Sequence, residues 1–199
     1  MKTIALIPAR LESERFPNKL IKKLDGVPII VRTYLAALNS KLFDQVYVVS
    51  GNDEIIDLIK SKDGLIFKSR KIHLSGTDRI AEAAKEIDHD IVVNLQGDEP
   101  FINIDAIDSL IASFEDNSVK MASLMTSFNS FDEIKNPNNV KVTVDKNNNA
   151  IFFSRSPIPE GENEIKKFNR HIGVYAFRKN TLINFSSLNR SKNEISQNL

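Results

Sequence analysis

Residues 3–19 read TIALIPARLESERFPNK: a short apolar run, then Pro8, then the cations Arg10, Arg15 and Lys19 in a segment without glycine. Residues 90–96, DIVVNLQ, repeat the pattern, a branched apolar run opening into Gly97-Asp98-Glu99-Pro100. Short apolar runs bounded by turn-forming residues read as buried strands. Between them lie two further strand signals, FDQVYVVS (43–50) and GLIFKS (64–69), alternating with helical ones. The helices are PIIVRTYLAALN (28–39), with Pro28 in its first turn, DEIIDLIKS (53–61), which opens on two acids, and TDRIAEAAKEI (77–87). This alternation predicts a parallel sheet covered by helices on both faces. A helix over 103–116, with Asn103 as N-cap and Ile104, Ile107, Leu110, Ile111 and Phe114 on one face, closes this half.

The second half changes character. KMASLMTSF (120–128) and NVKVTV (139–144) read as strands, DKNNNA (145–150) as a turn whose Asn run tolerates left-handed backbone, and AIFFSR (150–155) as the hairpin partner. RHIGVYAFR (170–178) is a further strand, and the stretch from Asn180 onward is helical in two pieces. The expected fold class is α/β, a Rossmann-like mostly parallel sheet plus a smaller mixed-β portion. The expected organisation is one domain over 1–199, with a nucleotide-binding half at 1–116 and a second half at 117–199.

The 199 residues carry 27 basic and 26 acidic side chains, so a charged ligand would have to meet a local patch rather than a global field. That balance speaks against a protein that coats nucleic acid or an anionic membrane. Without cysteine there is no disulfide, thiolate metal site or thiol nucleophile, which fits a reducing compartment. The apolar run after Lys2 is too short for a signal-peptide core, and no stretch has the length of a bilayer span. A cytoplasmic location is expected.

Ligands of open α/β sheets bind beyond the carboxyl ends of the strands. Three segments leave strands at that edge: 8–19, 73–79 (HLSGTDR) and 96–101 (QGDEPF). In the first, the forks of Arg10 and Arg15 and the point charge of Lys19 suit a polyphosphate, although a solvated basic loop has the same composition. No GxxxxGK[ST] or GxGxxG is present, which excludes a Walker loop and leaves a dinucleotide site unsupported. In the third, Asp98 directly follows a buried strand and could hold Mg²⁺ beside a bound triphosphate, or cap the next turn. In the second, Ser75-Gly76-Thr77 opens a helix whose amides could receive a base or phosphate, with Thr77 as the simple N-cap. His171, Gly173 and Tyr175 alternate along their strand, and His171 has no second histidine at metal-ligand spacing.

The segments PARLESERFPNKLI, HLSGTDRIAE, VVNLQGDEPFI, NPNNVKV, FFSRSPIP and RHIGVYAFR, in that order, resemble the 3-deoxy-manno-octulosonate cytidylyltransferase (CMP-Kdo synthetase) family. The first alone would place the chain only among sugar nucleotidyltransferases; the set is far more specific, and CMP-sialate synthetases lack its second-half members. The resemblance implies that CTP and 3-deoxy-manno-octulosonate (Kdo) give CMP-Kdo and pyrophosphate with Mg²⁺, for lipopolysaccharide synthesis. It implies that Arg10, Arg15 and Lys19 meet phosphates, that Ser13 shapes their loop, and that Arg70, Ser75 and Gly76 border the cytosine. By the same resemblance Asp98 binds Mg²⁺, Gln96 lies at the nucleotide–sugar junction, Arg155 pairs with the sugar carboxylate, and His171 and Tyr175 line the sugar pocket. A homodimer through second-half strands is also implied.

Two departures from that pattern stand out. Asn18 occupies a position where the family usually has glycine, and left-handed backbone is expected there. The chain ends at NEISQNL, before the family's Gly-x-Asp-Thr segment with its second metal ligand, so a C-terminally incomplete form is expected. The alternatives are a cytidylyltransferase for 8-amino-Kdo or a sialate-like sugar, a CTP-binding but inactive domain, and a structural α/β domain.

Overall fold

The computed structural model describes residues 1–12, 16–73 and 75–197. In chain order its elements begin with β1 (Thr3–Pro8), the two-residue strands β2 (Lys23–Leu24) and β3 (Val27–Pro28), α1 (Ile29–Asn39), β4 (Gln45–Ser50) and α2 (Asp53–Lys60). There follow β5 (Leu65–Lys68), α3 (Gly76–Glu86), β6 (Ile91–Asn94), α4 (Ile104–Ala112) and β7 (Met121–Ser127). The remainder is α5 (Phe131–Lys135), β8 (Lys141–Val144), β9 (Ala150–Ser154), β10 (Asn169–Arg178), α6 (Lys179–Phe185) and α7 (Lys192–Gln197). The chain divides into two compact units, residues 1–122 with 174–188 and residues 123–173 with 189–199.

In the first unit β1 is central, and Ile4, Ala5, Leu6 and Ile7 are fully buried. It pairs in parallel with β4 on one side and β6 on the other, and β4 pairs in parallel with β5. The carboxyl ends of all four strands therefore lie on one edge. β10 closes the row antiparallel to β6, with Tyr175 opposite Asn94. Ile4, Leu6 and Val92 pack with Ile80, Ala83 and Ala84 of α3 and Leu182 of α6. Side chains alternate along a strand, so Ala5 and Ile7 face the other way, the side on which the buried stripe Ile30-Tyr34-Ala37 of α1 covers the sheet. The parallel sheet sandwiched by helices is the architecture expected from the sequence.

The second unit is antiparallel. β8 and β9 form the expected hairpin, and Asp145 accepts the N–H groups of Asn147 and Asn149 across its turn, where Asn148 takes φ 62°. β10 pairs with β8 through Asn169 and Arg170. Phe128, Ile134 and Phe168 form a separate small core.

Some boundaries differ from the sequence reading. α3 begins at Gly76, and its N-cap is Ser75 rather than Thr77: the Ser75 hydroxyl accepts from Asp78 N–H, and the Asp78 carboxylate reaches back to Ser75 N–H. This reciprocal box satisfies two terminal donors, whereas a Thr77 cap would leave Asp78 unused. The helix after Asn103 ends at Ala112 and finishes as a 3-10 turn over Ser113–Glu115. α5 was not legible, because five residues hold too little periodicity to register. Among the described residues no helix is long and apolar enough to cross a membrane.

Candidate active site

At the carboxyl edge of the first unit a cleft of about 300 Å³ is lined by Arg10, Glu12, Lys19, His73, Ser75, Gly76, Arg79, Gln96 and Asp98, with Pro8, Ala9, Leu20 and Gly97. All three segments singled out from the sequence thus contribute to one cavity. Ser13 and Arg15 lie outside the described residues.

Local chemistry holds each wall. Pro8 ends β1, and Ala9 continues it by donating its N–H to the Val49 carbonyl at 3.0 Å. Leu11 N–H donates to the Asn52 side chain, and Asn18 N–H to the Leu11 carbonyl, so the described ends of the cationic loop are anchored. Asn18 sits at φ 58°, ψ 24°, the left-handed geometry expected there from the sequence. Asn pays little for it because its short polar side chain bonds locally. Two glycines permit close approach to Pro8: a Cβ on Gly97 would lie 3.1 Å from the Pro8 carbonyl oxygen, and one on Gly76 would lie 3.1 Å from the Pro8 ring. The Thr33 hydroxyl on α1 donates to the Gly97 carbonyl at 2.9 Å, fixing the exit of β6.

Within the cleft, Lys19 Nζ donates to Asp98 at 2.6 Å, with both side chains about 40% exposed. A pair this open to water contributes little stability, roughly 0–1 kcal/mol, and is easily rearranged around a ligand. Its value is positional. Glu12 keeps an ionised carboxylate, held below its ordinary range first by a backbone N–H and then by Asn52. Arg79 is buried, and its guanidinium donates to the Ala9 carbonyl at 3.1 Å. Burial lowers its pKa, and the charge of Arg10 lowers it further.

Glu82, two turns into α3, accepts from Ser69 Oγ at 2.6 Å, from Arg70 N–H at 3.1 Å and lies 2.7 Å from His73 Nε2. Burial alone would raise its pKa. The bonds from Ser69, His73 and Arg70 outweigh that and hold it at about 2. Arg70 itself is exposed and its side chain is not among those lining the cleft, whereas His73 is.

Residues 4–199 match the family model described as cytidylyltransferase. The chain belongs to the cytidylyltransferase family. It is 48% identical to the 3-deoxy-manno-octulosonate cytidylyltransferase of Flavobacterium johnsoniae over 204 residues, covering 100% of this chain and 84% of that one. It is 46% identical to the enzyme of the same name from Christiangramia forsetii, over 94% of this chain and 77% of that one. A solved structure of CMP:2-keto-3-deoxy-manno-octonic acid synthetase complexed with CTP superposes with a TM-score of 0.94 at 34% identity, covering 100% of this chain and 83% of that one. The family resemblance drawn from the sequence motifs is borne out.

The other expected site residues of this family member lie elsewhere. Tyr175, in the first unit, is half-buried and stacks near Phe177 with ring centroids 6.2 Å apart; burial raises its pKa. In the second unit His171 Nε2 lies 3.0 Å from Ser123 Oγ, its ring packs edge-on to Phe153, and burial lowers its pKa. Arg155 Nη1 donates to the Pro137 carbonyl at 3.0 Å. Sequence reasoning missed the roles of Arg79, Glu82, His73 and Thr33. Their one available signal was position, since the first three fall inside or just beside a motif already marked as a ligand edge.

A divalent metal ion is implied by the family, and the residues fit one that arrives with a triphosphate. Asp98 and Glu12 are the carboxylates lining the cleft, and among the described residues no group of three or more His, Asp or Glu side chains forms a ready cage. Mg²⁺ is commonly held by one or two carboxylates together with substrate phosphates, which matches that sparse donor set.

Proposed function

We propose that this chain transfers the cytidylyl group of CTP to Kdo, forming CMP-Kdo and releasing pyrophosphate. The observation that carries the reading is the convergence of Arg10, Lys19, Asp98 and the Ser75-Gly76 helix start on one cleft at the carboxyl edge of a parallel sheet. The names of the relatives supply the two substrates.

In this reaction the anomeric hydroxyl of Kdo attacks the α-phosphorus, the bond to the bridging oxygen breaks, and pyrophosphate leaves with the bonding pair. Little covalent work falls to the protein, so catalysis rests on positioning and neutralisation of charge. Arg10 and Lys19 meet the charge that builds on the departing pyrophosphate. Asp98 would hold Mg²⁺, which when bound draws off negative charge from the phosphates. With a triphosphate in place, the Lys19 ammonium would turn to phosphate, which would leave the Asp98 carboxylate available to hold the metal. Gln96 lines the same cleft and is the residue assigned to the junction with the sugar. Arg155 supplies the cation for the sugar carboxylate, and His171 and Tyr175 are the further residues assigned to the sugar. The cytoplasm as location and a homodimer through second-half strands complete this reading.

The test is to incubate the chain with CTP, Kdo and Mg²⁺ and follow pyrophosphate release. Release that requires Kdo supports the reading. CTP binding without release, at saturating sugar, would leave a nucleotide-binding domain and remove the transferase assignment.

A further inference from the structure

Lys141 opens β8 in the second unit and is fully buried. An ammonium taken out of water is costly unless each of its N–H groups finds an acceptor. Its Nζ donates to the Asn136 carbonyl at 3.1 Å, to the Asn139 carbonyl at 2.8 Å and to the Arg155 carbonyl. Three donors meet three oxygens of the chain's own backbone. The group is thereby satisfied and sealed, and it is not a contact for a substrate.

Those three carbonyls come from two segments. Asn136 and Asn139 belong to the turn between α5 and β8, where Asn139 N–H donates to the Asn136 carbonyl and Asn139 Nδ2 to the Glu133 carbonyl. Arg155 is the first residue after β9, and the chain continues from it without regular structure through Pro159. Lys141 stands opposite Ser154 in the hairpin register, so its side chain reaches one residue past the paired strands. Arg155 in turn sends Nη1 to the Pro137 carbonyl at 3.0 Å, in the same turn. Both the backbone and the guanidinium of Arg155 are therefore tied to residues 136–139, the first through Lys141 and the second directly. Burial lowers the pKa of Lys141, and the charge of Arg155 lowers it further. Two cations near one another attract a carboxylate more strongly than one does.

We infer that Lys141 is a positioning residue for Arg155: by drawing the carbonyls of Asn136, Asn139 and Arg155 onto one ammonium, it fixes where the end of the hairpin places the guanidinium that meets the sugar carboxylate. The inference rests on the Kdo reading above and adds to it the residue through which Arg155 is held.

The test is a double-mutant cycle. Lys141→Met, Lys141→Gln, Arg155→Ala and the double variant Lys141→Met/Arg155→Ala are melted, then assayed below their transitions for pyrophosphate release with Kdo and CTP varied in turn. Lys141→Met raises KM for Kdo by about tenfold and leaves KM for CTP within about twofold, the loss expected when a charged partner is misplaced. Lys141→Gln, which keeps two N–H donors, loses less, and it takes the place of the methionine variant in the cycle if that variant melts below the assay temperature. Because Lys141 acts through Arg155, the double variant stays within about twofold of Arg155→Ala alone. A merely structural role would multiply the two losses to about a hundredfold or raise both KM values together. Either result overturns the inference, as does an unchanged KM for Kdo in both Lys141 variants. An unchanged KM for Kdo in Arg155→Ala is a separate outcome, which detaches Arg155 from the sugar and removes the inference with it. Absence of release from the unchanged chain removes the transferase reading itself, and the inference falls with it.

Discussion

The two units solve the same problem, holding an irregular segment at a site, by opposite electrostatics. In the first, a carboxylate does the gathering: Glu82 accepts from Ser69 and the Arg70 N–H and lies against His73, and Asp98 accepts from Lys19. In the second, Lys141 is fully buried and faces carbonyls instead, donating to Asn136 at 3.1 Å, to Asn139 at 2.8 Å and to the Arg155 carbonyl. Its three donors match its three acceptors, and burial, aided by the charge of Arg155, lowers its pKa. A buried ammonium bonded only to backbone orders a loop while adding no carboxylate near Arg155. For an arginine expected to meet a substrate carboxylate, that is the more useful arrangement. Under the proposed reaction the first unit would face a polyanion that brings its own metal and would tolerate Asp98 and Glu12 in its cleft.

The largest expected effect tests the carboxylate side of this contrast. Asp98→Asn removes the charge that would hold the metal and should lower Kdo-dependent pyrophosphate release by at least about a hundredfold, with CTP affinity changed only a few-fold. Normal turnover in that variant would move the metal away from Asp98. Arg155→Ala should raise KM for Kdo by about tenfold or more and leave KM for CTP nearly unchanged, the cost of losing a charged hydrogen-bond partner. The opposite split in steady-state kinetics would detach Arg155 from the sugar.

Lys141→Met keeps the length of the side chain but strands three carbonyls, each worth about 1–3 kcal/mol when buried and unmet. A melting temperature several degrees lower is expected, and an unchanged one would show that water or backbone movement replaces the ammonium. A further effect is one of pH. Glu82 has a folded-state pKa of about 2 against an ordinary 4.5, so its stabilisation is complete above about pH 4.5 and is lost as pH falls toward 2. Chemical denaturation should show the unchanged chain losing up to about 3 kcal/mol more than Glu82→Gln across that window. Equal acid sensitivity of the two would mean that the 69–73 segment detaches before Glu82 titrates.

Much of this was legible in the chain itself. Strand and helix periodicities are local, so the alternation from Thr3 to Glu86 declared a parallel sheet, and the carboxyl-edge rule then brought residues 8–19, 73–79 and 96–101 to one place. Asn18 and Asn148 at positive φ followed from what their side chains tolerate. The motifs carried the family. The tertiary structure decided which side chains serve as fixtures. Arg79 reaches the carbonyl of Ala9, 70 residues back, and Thr33 reaches that of Gly97, 64 residues on. Lys141 reads in the sequence as an ordinary cation in a hairpin strand, yet it is sealed inside. These bonds end on backbone carbonyls, which every residue possesses, so nothing in the identity of the partner marks them in advance. Only the packed chain brings a given donor to a given carbonyl.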